Sequence, residues 1–358
     1  IIEFMFAIEP ILPSVKNQSL MIAGPCSAES REQVLETASA LMALEKISLF
    51  RCGIWKPRST PKCFEGHGVK ALGWLKEVQE KYAVPTCIEI ASAKHLESAL
   101  QYNIRHFWIG ARTSVNPFIV QEIAEAARGT EVSMMIKNPI SPDLKLWIGA
   151  FERMSKVGIR KLAAIHRGFL TYEHSLYRNN PLWNIPIELK RLYQEIPIIC
   201  DPSHMAGKKE YIFEIAQKAL FLEADGLMLE VHAHPEKSLS DKEQQLTPLE
   251  YHQLINKLSV PISGQNLDTS IKHYRELIDE LDKDLCSLLA KRFEIVREIA
   301  HYKKEKNISL LQIERWQKEI NNVLQIYEQK NINKLFIQQL MESLHAESIK
   351  IQEEIFKK

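Results

Sequence analysis

Eight short apolar runs recur between residue 19 and about residue 260, and an amphipathic stretch follows each of them. The runs are LMIAG (20–24), LFRCG (49–53), TCIEI (86–90), HFWIG (106–110), SMMIK (133–137), KLAAI (161–165), IPIIC (196–200) and GLMLEV (226–231). Alternating strand and helix patterns are typical of βα units that build a parallel sheet. Eight such units in roughly 240 residues have the size of a (β/α)8 TIM barrel.

An open doubly wound sheet is the alternative arrangement of the same units. A dinucleotide-binding sheet of that kind needs a GxGxxG turn after its first strand. LMIAG is followed by PCSAES instead, so we predict the barrel and assign residues 1–262 to it. The predicted fold class is α/β, a barrel followed by a smaller all-α domain.

The segment after the barrel has no strand pattern. A polar, turn-rich connector, SGQNLDTS (263–270), precedes it, and we place a linker at 263–268 and a helical domain at 269–358. A heptad pattern then predicts one long helix with an apolar packing seam. Two further helices are predicted at about 312–329 and 333–356, which makes three helices in all. The seam consists of Ile271, Tyr274, Ile278, Leu281, Leu285, Leu288, Ile295, Ile299 and Tyr302.

Composition limits the classes of partner. The 358 residues are too many for one ordinary domain, and 46 basic against 45 acidic residues leave a net charge of +1. No global field would attract nucleic acid or an anionic membrane. The six cysteines form no CxxC pair, and the apolar residues 1–12 include two glutamates and lack a basic leader. We therefore predict a cytoplasmic protein that acts on small molecules.

Polar residues cluster just after the predicted strands, where barrels of this type have their active sites. One group offers a thiolate, an imidazole and two carboxylates, a donor set that suits a divalent first-row metal such as Mn, Fe, Co or Zn. This group comprises Cys26, His204, Glu230 and Asp241. A lone cysteine is more often a packed apolar residue than a ligand, so the hypothesis rests on the four residues together.

A second group supplies six cations and two hydroxyls at the same rim. It comprises Arg51, Lys56, Arg58, Arg112, Lys137 and Arg167, with Ser59 and Thr60. A single cation of this kind would usually be a solvated surface residue. Six at one rim would repel one another unless anions lie between them. The group therefore predicts two small phosphorylated substrates, one of which also has a carboxylate.

The motifs that carry these residues resemble the ordered signature of the metal-dependent 3-deoxy-D-arabino-heptulosonate 7-phosphate (DAHP) synthases. They are GPCS, KPR followed by Ser-Thr, IGAR, HRG, DPSH and SDxxQ. The resemblance implies metal ligands at Cys26, His204, Glu230 and Asp241. It places phosphoenolpyruvate on Lys56, also a candidate catalytic residue, and on Arg112, Lys137 and Arg167. It assigns the binding of erythrose 4-phosphate to Arg58, Ser59 and Thr60, and it places Asp201 near a sugar hydroxyl. The nearest alternative, a 3-deoxy-octulosonate 8-phosphate synthase, would read KANRS where this chain has KPRST.

The helical segment resembles the all-helical chorismate mutases. The matching residues are Arg275, Arg292, Lys303 and Arg315, with Ser348 and Gln352 one turn apart. Arg292 lies in the apolar seam, where the alternative is a rim pairing with Glu294 or Glu298. Arg275 and Arg292 would lie about 25 Å apart on one helix, too far to share one small dicarboxylate. Arg275 would then serve the partner's site in an intertwined homodimer.

A regulatory function is the alternative for the helical domain. Gln312 and Trp316 flank Arg315 where relatives often have carboxylates, a change that would slow turnover and spare ligand binding. Only about eighteen residues precede the first predicted strand, too few for a regulatory domain at that end. The sequence thus predicts a bifunctional enzyme whose synthase is inhibited by prephenate or chorismate through the helical domain.

Overall fold

The computed structural model describes residues 7–12, 19–44, 47–57, 63–172, 175–260, 269–328 and 332–357. The chain divides into two compact units, Ile1–Ser263 and Gly264–Lys358. No helix in the described ranges combines the length and apolar character that a membrane span requires.

The first unit is a closed barrel of eight parallel strands in sequence order, and the last strand pairs with the first. The predicted (β/α)8 fold is therefore confirmed. The strands are β1 (Leu20–Gly24), β2 (Leu49–Arg51), β3 (Thr86–Ile90), β4 (His106–Ile109), β5 (Ser133–Lys137), β6 (Lys161–His166), β7 (Ile198–Cys200) and β8 (Gly226–Glu230). The helices of this unit are α1 (Arg31–Leu44), α2 (Val69–Tyr82), α3 (Ala93–Leu100), α4 (Pro117–Ala127), α5 (Leu144–Lys156), α6 (Asn184–Leu192), α7 (Pro202–Ala206), α8 (Ile212–Phe221) and α9 (Pro248–Lys257).

Strand ends differ from the predicted runs by at most two residues. The second run was expected to reach Gly53, but β2 ends at Arg51. A Cβ atom at Gly53 would lie 2.8 Å from Cδ of Lys56 and would collide with the carbonyl oxygen of Cys26. Glycine here lets the chain leave the sheet and pass directly beside the loop that follows β1.

Two apolar layers organise the barrel. One lies between the strands and the helices, and the other fills the interior. Side chains alternate between the two faces of a strand, so a residue two positions after an interior residue points toward the barrel axis at its carboxyl end. Interior residues Leu49, Cys87, Met135, Ile165, Ile199 and Met228 are followed in this way by Arg51, Glu89, Lys137, Arg167, Asp201 and Glu230.

The second unit contains the three predicted helices, α10 (Thr269–Glu305), α11 (Ile313–Glu328) and α12 (Lys334–Lys357). The face of α10 that packs in this unit includes Val296, Ala300 and Lys303, while α12 buries Ile337, Ser348 and Gln352. The nine seam residues are instead 44% to 66% exposed. The heptad pattern predicted the helix, but the apolar seam is not covered within the described part of this unit.

Candidate active sites

Three of the four predicted metal ligands meet at the carboxyl end of the barrel. The thiol of Cys26 and a carboxylate oxygen each from Glu230 and Asp241 lie within 4.8 Å of one another. Gly24 pairs in register with Glu230, which brings the loop after β1 beside the end of β8. Asp241 reaches back from the following loop with a φ of 46°, and its Oδ2 lies 3.3 Å from the Cys26 Sγ.

His204, the fourth predicted ligand, lies at the edge of this cluster. Its Nε2 is 3.6 Å from Oε1 of Glu230, and its Nδ1 is 2.8 Å from Oδ2 of Asp201. Asp201 also caps α7, because its Oδ1 accepts the main-chain N–H of His204 at 3.1 Å. Burial holds the pKa of His204 below its ordinary value even though Asp201 opposes the shift. A neutral ring that donates from Nδ1 leaves the Nε2 lone pair available on the Glu230 side.

The thiol of Cys26 is protonated at neutral pH. Burial, with a contribution from Glu230, raises its pKa to about 12, although Lys56 opposes the shift. Nζ of Lys56 lies 3.1 Å from the Cys26 Sγ and 3.0 Å from its carbonyl oxygen. Coordination to a cation would replace the thiol proton. A thiolate, an imidazole nitrogen and carboxylates fit a first-row divalent metal, so the residues present are chemically suited to one.

Glu230 is fixed from two sides. Nη2 of Arg51 donates to its Oε1 at 2.9 Å, and Nε2 of Gln244 donates to its Oε2 at 2.6 Å. The guanidinium of Arg51 also lies 5.1 Å from the centre of the Trp108 ring. Burial by itself would raise the pKa of Glu230. The charges of His204 and Arg51 outweigh this effect and hold the pKa below its ordinary value. Arg51 thus stabilises the ionised carboxylate of Glu230 from inside the barrel. Its Nε and Nη1 have no hydrogen-bond partner among the described residues.

A polar cavity of about 210 Å³ opens beside this cluster. Four of the predicted anion-binding residues line it, namely Lys56, Arg112, Lys137 and Arg167. Two of the predicted metal ligands, His204 and Asp241, line it as well. Arg58, Ser59 and Thr60 lie outside the described residues. With Arg178, five cations line this small cavity next to the predicted metal ligands, an arrangement that can bind a phosphorylated anion and hold it beside a bound cation.

Asp201 orients two members of this site. Its Oδ2 accepts from Nζ of Lys137 at 2.8 Å, and the same carboxylate binds the His204 ring. Burial raises the pKa of Asp201, but His204 and Lys137 together hold it well below its ordinary value. The resemblance placed Asp201 near a sugar hydroxyl. In the structure its carboxylate contacts Lys137 and His204 and orients both side chains, and the contact with the sugar stays a prediction.

Arg167 is held by two asparagines. Its Nη1 donates to Oδ1 of Asn179, and its main-chain N–H donates to Oδ1 of Asn138, both at 2.8 Å. Burial lowers the pKa of Arg167 to about 10. The guanidinium is therefore still charged at neutral pH but only weakly solvated, a state that favours binding of an anion.

Several functional candidates were missed by the sequence reasoning. Nη1 of Arg178 donates to Oδ1 of Asp241 and to Oε1 of Gln244, both at 2.9 Å. Oε1 of Gln245 accepts the main-chain N–H of Cys26 at 2.9 Å, and Glu89 lines the cavity. The SDxxQ motif contained a signal for Gln244. Arg178 lies twelve residues beyond the end of β6, so it is not one of the polar residues directly after a strand on which the prediction was based.

The helical unit brings four of its six predicted residues into one region. Nη1 of Arg292 donates to Oγ of Ser348 at 2.7 Å. Lys303 is buried and donates to the carbonyl of Leu310 at 2.8 Å, and its pKa is lowered by desolvation. Gln352 is also buried, and its Oε1 has no partner among the described residues. Since Lys304 contacts the carbonyl of Ile355, α10 and α12 run in the same direction here, and Gln352 falls along the stretch between Arg292 and Lys303.

The other two predicted residues are not hydrogen-bonded into this set. Arg275 and Arg315 are exposed, and no hydrogen bond or ion pair within the described residues joins them to the other four. Trp316, beside Arg315, stacks on His345 with ring centres 3.9 Å apart. Arg275 precedes Arg292 by seventeen residues on α10, about 25 Å along the helix, so these two arginines of one chain cannot bind the same small ligand.

The fold and the cationic cavity at its mouth define a barrel enzyme for small molecules. The chain belongs to the DAHP synthetase I family, whose model matches residues 8–262. A chorismate mutase type II model matches residues 274–353. The chain thus contains a DAHP synthase domain, a transferase of the shikimate pathway, and a chorismate mutase domain, an isomerase. The DAHP synthase family and the chorismate mutase domain predicted from the motifs are both confirmed.

Individual relatives include a DAHP synthase and, at lower identity, a member of the octulosonate class. The phospho-2-dehydro-3-deoxyheptonate aldolase of Thermotoga maritima is 30% identical over 238 residues, which cover 66% of this chain and 68% of that enzyme. Its crystal structure has a TM-score of 0.60 at 29% identity, with 67% of each chain covered. A 2-dehydro-3-deoxyphosphooctonate aldolase of Desulfotalea psychrophila is 24% identical over 261 residues, which cover 67% of this chain and 88% of that enzyme.

Proposed function

We propose that the barrel condenses phosphoenolpyruvate with erythrose 4-phosphate to form DAHP, and that the helical domain rearranges chorismate to prephenate. The observation that supports the first activity best is the cavity in which Lys56, Arg112, Lys137 and Arg167 converge beside His204 and Asp241. Substrates with two phosphates and a carboxylate match this excess of cations.

In the proposed synthase reaction, the methylene carbon of phosphoenolpyruvate forms a bond to the sugar aldehyde carbon. A divalent metal held by Cys26, His204, Glu230 and Asp241 would act as a Lewis acid for the aldehyde oxygen. Lys56, Arg112, Lys137 and Arg167 hold phosphoenolpyruvate, and Arg58, Ser59 and Thr60 hold the sugar phosphate. Water then adds at the former enol carbon, and phosphate leaves. Fixing both substrates and stabilising the departing anion supply most of the rate enhancement.

The sugar specificity tests this assignment. With phosphoenolpyruvate and a divalent metal supplied, erythrose 4-phosphate should be consumed with a kcat/KM at least about a hundredfold above that of arabinose 5-phosphate. Loss of phosphoenolpyruvate absorbance and release of inorganic phosphate measure both reactions. Preference for arabinose 5-phosphate would instead assign the barrel to the octulosonate class, to which the 24% identical relative belongs by name.

In the helical domain, Arg292, Lys303 and Arg315 would bind the carboxylates and the ether oxygen of chorismate, with Ser348 and Gln352 as polar partners. The rearrangement is unimolecular, so the site acts by holding the reactive conformer and stabilising charge on the ether oxygen. Gln352 is suited to that oxygen because its amide is buried. Its Nε2 bond to the carbonyl of Ser348 is long, at 3.2 Å, and leaves a second N–H for a ligand.

We further propose that the helical domain forms a homodimer through the apolar seam of α10. Nine large side chains along one helix, each 44% to 66% exposed, form a contiguous apolar surface of the kind that a second copy covers. Arg275 lies at the far end of that surface, about 25 Å from Arg292. In a two-fold pair of α10 helices it can reach the site of the partner subunit.

Mixing two inactive variants tests the shared site. Arg275→Ala and Arg292→Ala homodimers should each lack mutase activity, whereas exchanged dimers should regain up to about a quarter of the wild-type rate, since half the dimers are mixed and each then has one complete site. Mass spectrometry would first establish subunit exchange. Mixed dimers without recovered activity would show that Arg275 does not act across the interface.

We also propose feedback on the synthase by prephenate or chorismate bound at the helical domain. At saturating prephenate the synthase rate should fall at least about tenfold, which requires only about 1.4 kcal/mol of preference for the inhibited state. The inhibition should disappear in Arg292→Ala and after deletion of residues beyond Ser263, while uninhibited synthase activity is retained. An unchanged synthase rate at saturating prephenate would mean that the two fused domains do not communicate.

The division at 263–268 and a cytoplasmic location complete the proposal. The six cysteines, all within the described residues, form no disulfide, and four of them are buried in the barrel, as expected for a protein that folds in a reducing compartment.

A further inference from the structure

Gln245 is a fully buried glutamine in the loop that follows β8. Its side-chain carbonyl accepts the main-chain N–H of Cys26 at 2.9 Å. Its amide nitrogen donates to the carbonyl of Ser240 and to Oγ of Ser238, both at 2.8 Å. An amide nitrogen has two N–H donors, and both are used here. Because the side chain is also inaccessible, Gln245 can influence a bound ligand only through the residues that it holds.

The hydrogen bonds of Gln245 join the two loops that carry Cys26 and Asp241. Ser240 directly precedes Asp241, and Ser27 directly follows Cys26. The hydroxyls of Ser27 and Ser240 are hydrogen-bonded to each other, and both residues are buried. Two connections therefore cross between the loops, right beside the 3.3 Å contact of Cys26 Sγ with Asp241 Oδ2. We call Gln245, Ser27 and Ser240 the loop link.

The segment that carries Gln245 is itself fixed to the end of β8. The main-chain N–H of Leu246 donates to the carbonyl of Glu230, and the main-chain N–H of His232 donates to the carbonyl of Leu246, both at 2.9 Å. Gln245 is thus held at a defined place relative to Glu230, a third predicted metal ligand. The segments that carry Cys26, Glu230 and Asp241 are therefore joined by protein contacts alone.

Asp241 has a backbone conformation that needs such support. Its φ of 46° and ψ of 39° lie in the left-handed region, which residues other than glycine adopt infrequently. Strained conformations of this kind persist only where the surrounding structure determines them, and they are concentrated at functional sites. The bond from Gln245 to the carbonyl of Ser240 holds the residue directly before Asp241, so it helps to keep the carboxylate turned toward Cys26.

We propose that Gln245 is a positioning residue for the metal centre: with Ser27 and Ser240 it holds the thiol of Cys26 and the carboxylate of Asp241 next to each other before a cation binds. This inference rests on the metal site proposed above at Cys26, His204, Glu230 and Asp241. Without the loop link, binding of the cation would also have to order the two loops, and this loss of entropy would lower the affinity.

A Gln245→Met variant tests the proposal, because methionine has nearly the same length but makes none of the three hydrogen bonds. In calorimetric titrations of the full-length protein with Co²⁺, the affinity should fall about 10- to 100-fold, as for other residues that orient a metal ligand. Gln33→Met is the matched control. Oε1 of Gln33 accepts the main-chain N–H of Glu29 at 3.1 Å, a bond of the same kind three residues after Cys26. The control should bind Co²⁺ like the wild-type protein.

The absorption spectrum of the Co²⁺ complex separates positioning from stability. A thiolate bound to Co²⁺ gives a charge-transfer band, and at saturating Co²⁺ its intensity per bound ion depends on the geometry at Cys26 rather than on affinity. The band should be weaker in Gln245→Met and unchanged in Gln33→Met. Wild-type affinity in Gln245→Met, or a lower affinity with an unchanged band, would contradict a positioning role. A wild-type protein that binds Co²⁺ without the band would refute the proposed metal site as well.

A Ser240→Ala variant tests the loop link with a smaller perturbation. Oγ of Ser27 also donates to Oε1 of Glu29 at 3.1 Å, so the substitution leaves no buried donor unpaired and the barrel should stay folded. Loss of one net hydrogen bond of the link should lower the Co²⁺ affinity about fivefold. If Gln245→Met does not fold, this variant decides alone, and wild-type Co²⁺ affinity in folded Ser240→Ala would overturn the proposal.

Discussion

A Cys26→Ala variant should bind divalent metal more than about a hundredfold less tightly than the wild-type protein and should lack synthase activity. Loss of a residue that only supports a ligand already costs 10- to 100-fold in metal affinity, and here the thiolate itself is removed. Exhaustive chelation of the wild-type protein should have the same effect on the synthase. Synthase activity that survives chelation would show that the cluster of Cys26, Glu230 and Asp241 is not a catalytic metal site.

Proton release gives this experiment a second readout. The thiol of Cys26 has a pKa of about 12, so it is protonated at neutral pH and must lose its proton when a metal binds. His204 is neutral, and the pKa of Asp241 is depressed, so neither adds a proton. Calorimetry in buffers of different ionisation enthalpy should show about one proton released per metal bound. Apparent affinity should accordingly rise about tenfold per pH unit between pH 6 and 8.

Cys52→Ala is the matched control. Cys52 is as fully buried as Cys26, and burial raises the pKa of its thiol as well, but its side chain belongs to the apolar layer between the strands and the helices. The substitution removes the same volume without touching the cluster, so it should cost stability and leave metal affinity unchanged. Equal loss of metal in both variants would indicate a packing effect.

Asp241→Ala should have an intermediate effect. Its side chain is 14% exposed and already pairs with Arg178, so water can replace this ligand more easily than it can replace the buried thiol. Comparing the two variants in the same calorimetric titration ranks the ligands.

The barrel and most of its mouth could be predicted because one physical regularity determines both. Alternation along each strand separates apolar from polar directions, and the same alternation carries Lys137 and Glu230 to the barrel axis. Closure in sequence order then brings the end of β8 next to β1. Hence residues as distant in sequence as Cys26 and Glu230 could be assigned to one site before their distance was known.

Other features depend on tertiary contacts that no local pattern encodes. Arg178 reaches Asp241 from an irregular loop, and the two hydrogen bonds of its Nη1 follow from the path of that loop. Similarly, the heptad pattern showed which face of α10 is apolar but not what covers it. The structure shows that Val296 and Ala300 pack within the domain, and the seam beside them stays exposed.

In an Arg292→Ala variant, the kcat/KM of the mutase reaction should fall at least about 10²- to 10³-fold while the helical domain remains folded. Removing one preorganised donor from a charge-stabilising site has an effect of that size. The hydrogen bond that Arg292 donates to Ser348 is worth about 1 kcal/mol, so its loss alone does not unfold the domain. The decrease in chorismate absorbance measures the rate, and thermal unfolding followed by circular dichroism measures the stability.

The control for this variant is Arg297→Ala. Arg297 lies on the same helix and is exposed, so its removal changes the net charge equally without altering the region around Ser348 and Gln352. It should retain both rate and stability. A large loss of stability in Arg292→Ala, with full activity in the folded fraction, would instead show that Arg292 is structural and pairs at the rim of the seam.

The same variant separates catalysis from ligand binding. Trp316 stacks on His345 at a position next to Arg315 where chorismate mutases often have a carboxylate. The presence of tryptophan instead of a carboxylate at this position is expected to slow turnover more than it weakens ligand binding. If the domain serves mainly as a sensor, the wild-type protein should turn over chorismate slowly yet respond to micromolar prephenate. Arg292→Ala should then abolish the prephenate response as well, because both functions need the same carboxylate contact. Retention of that response in Arg292→Ala would place the regulatory ligand outside the site formed by α10 and α12.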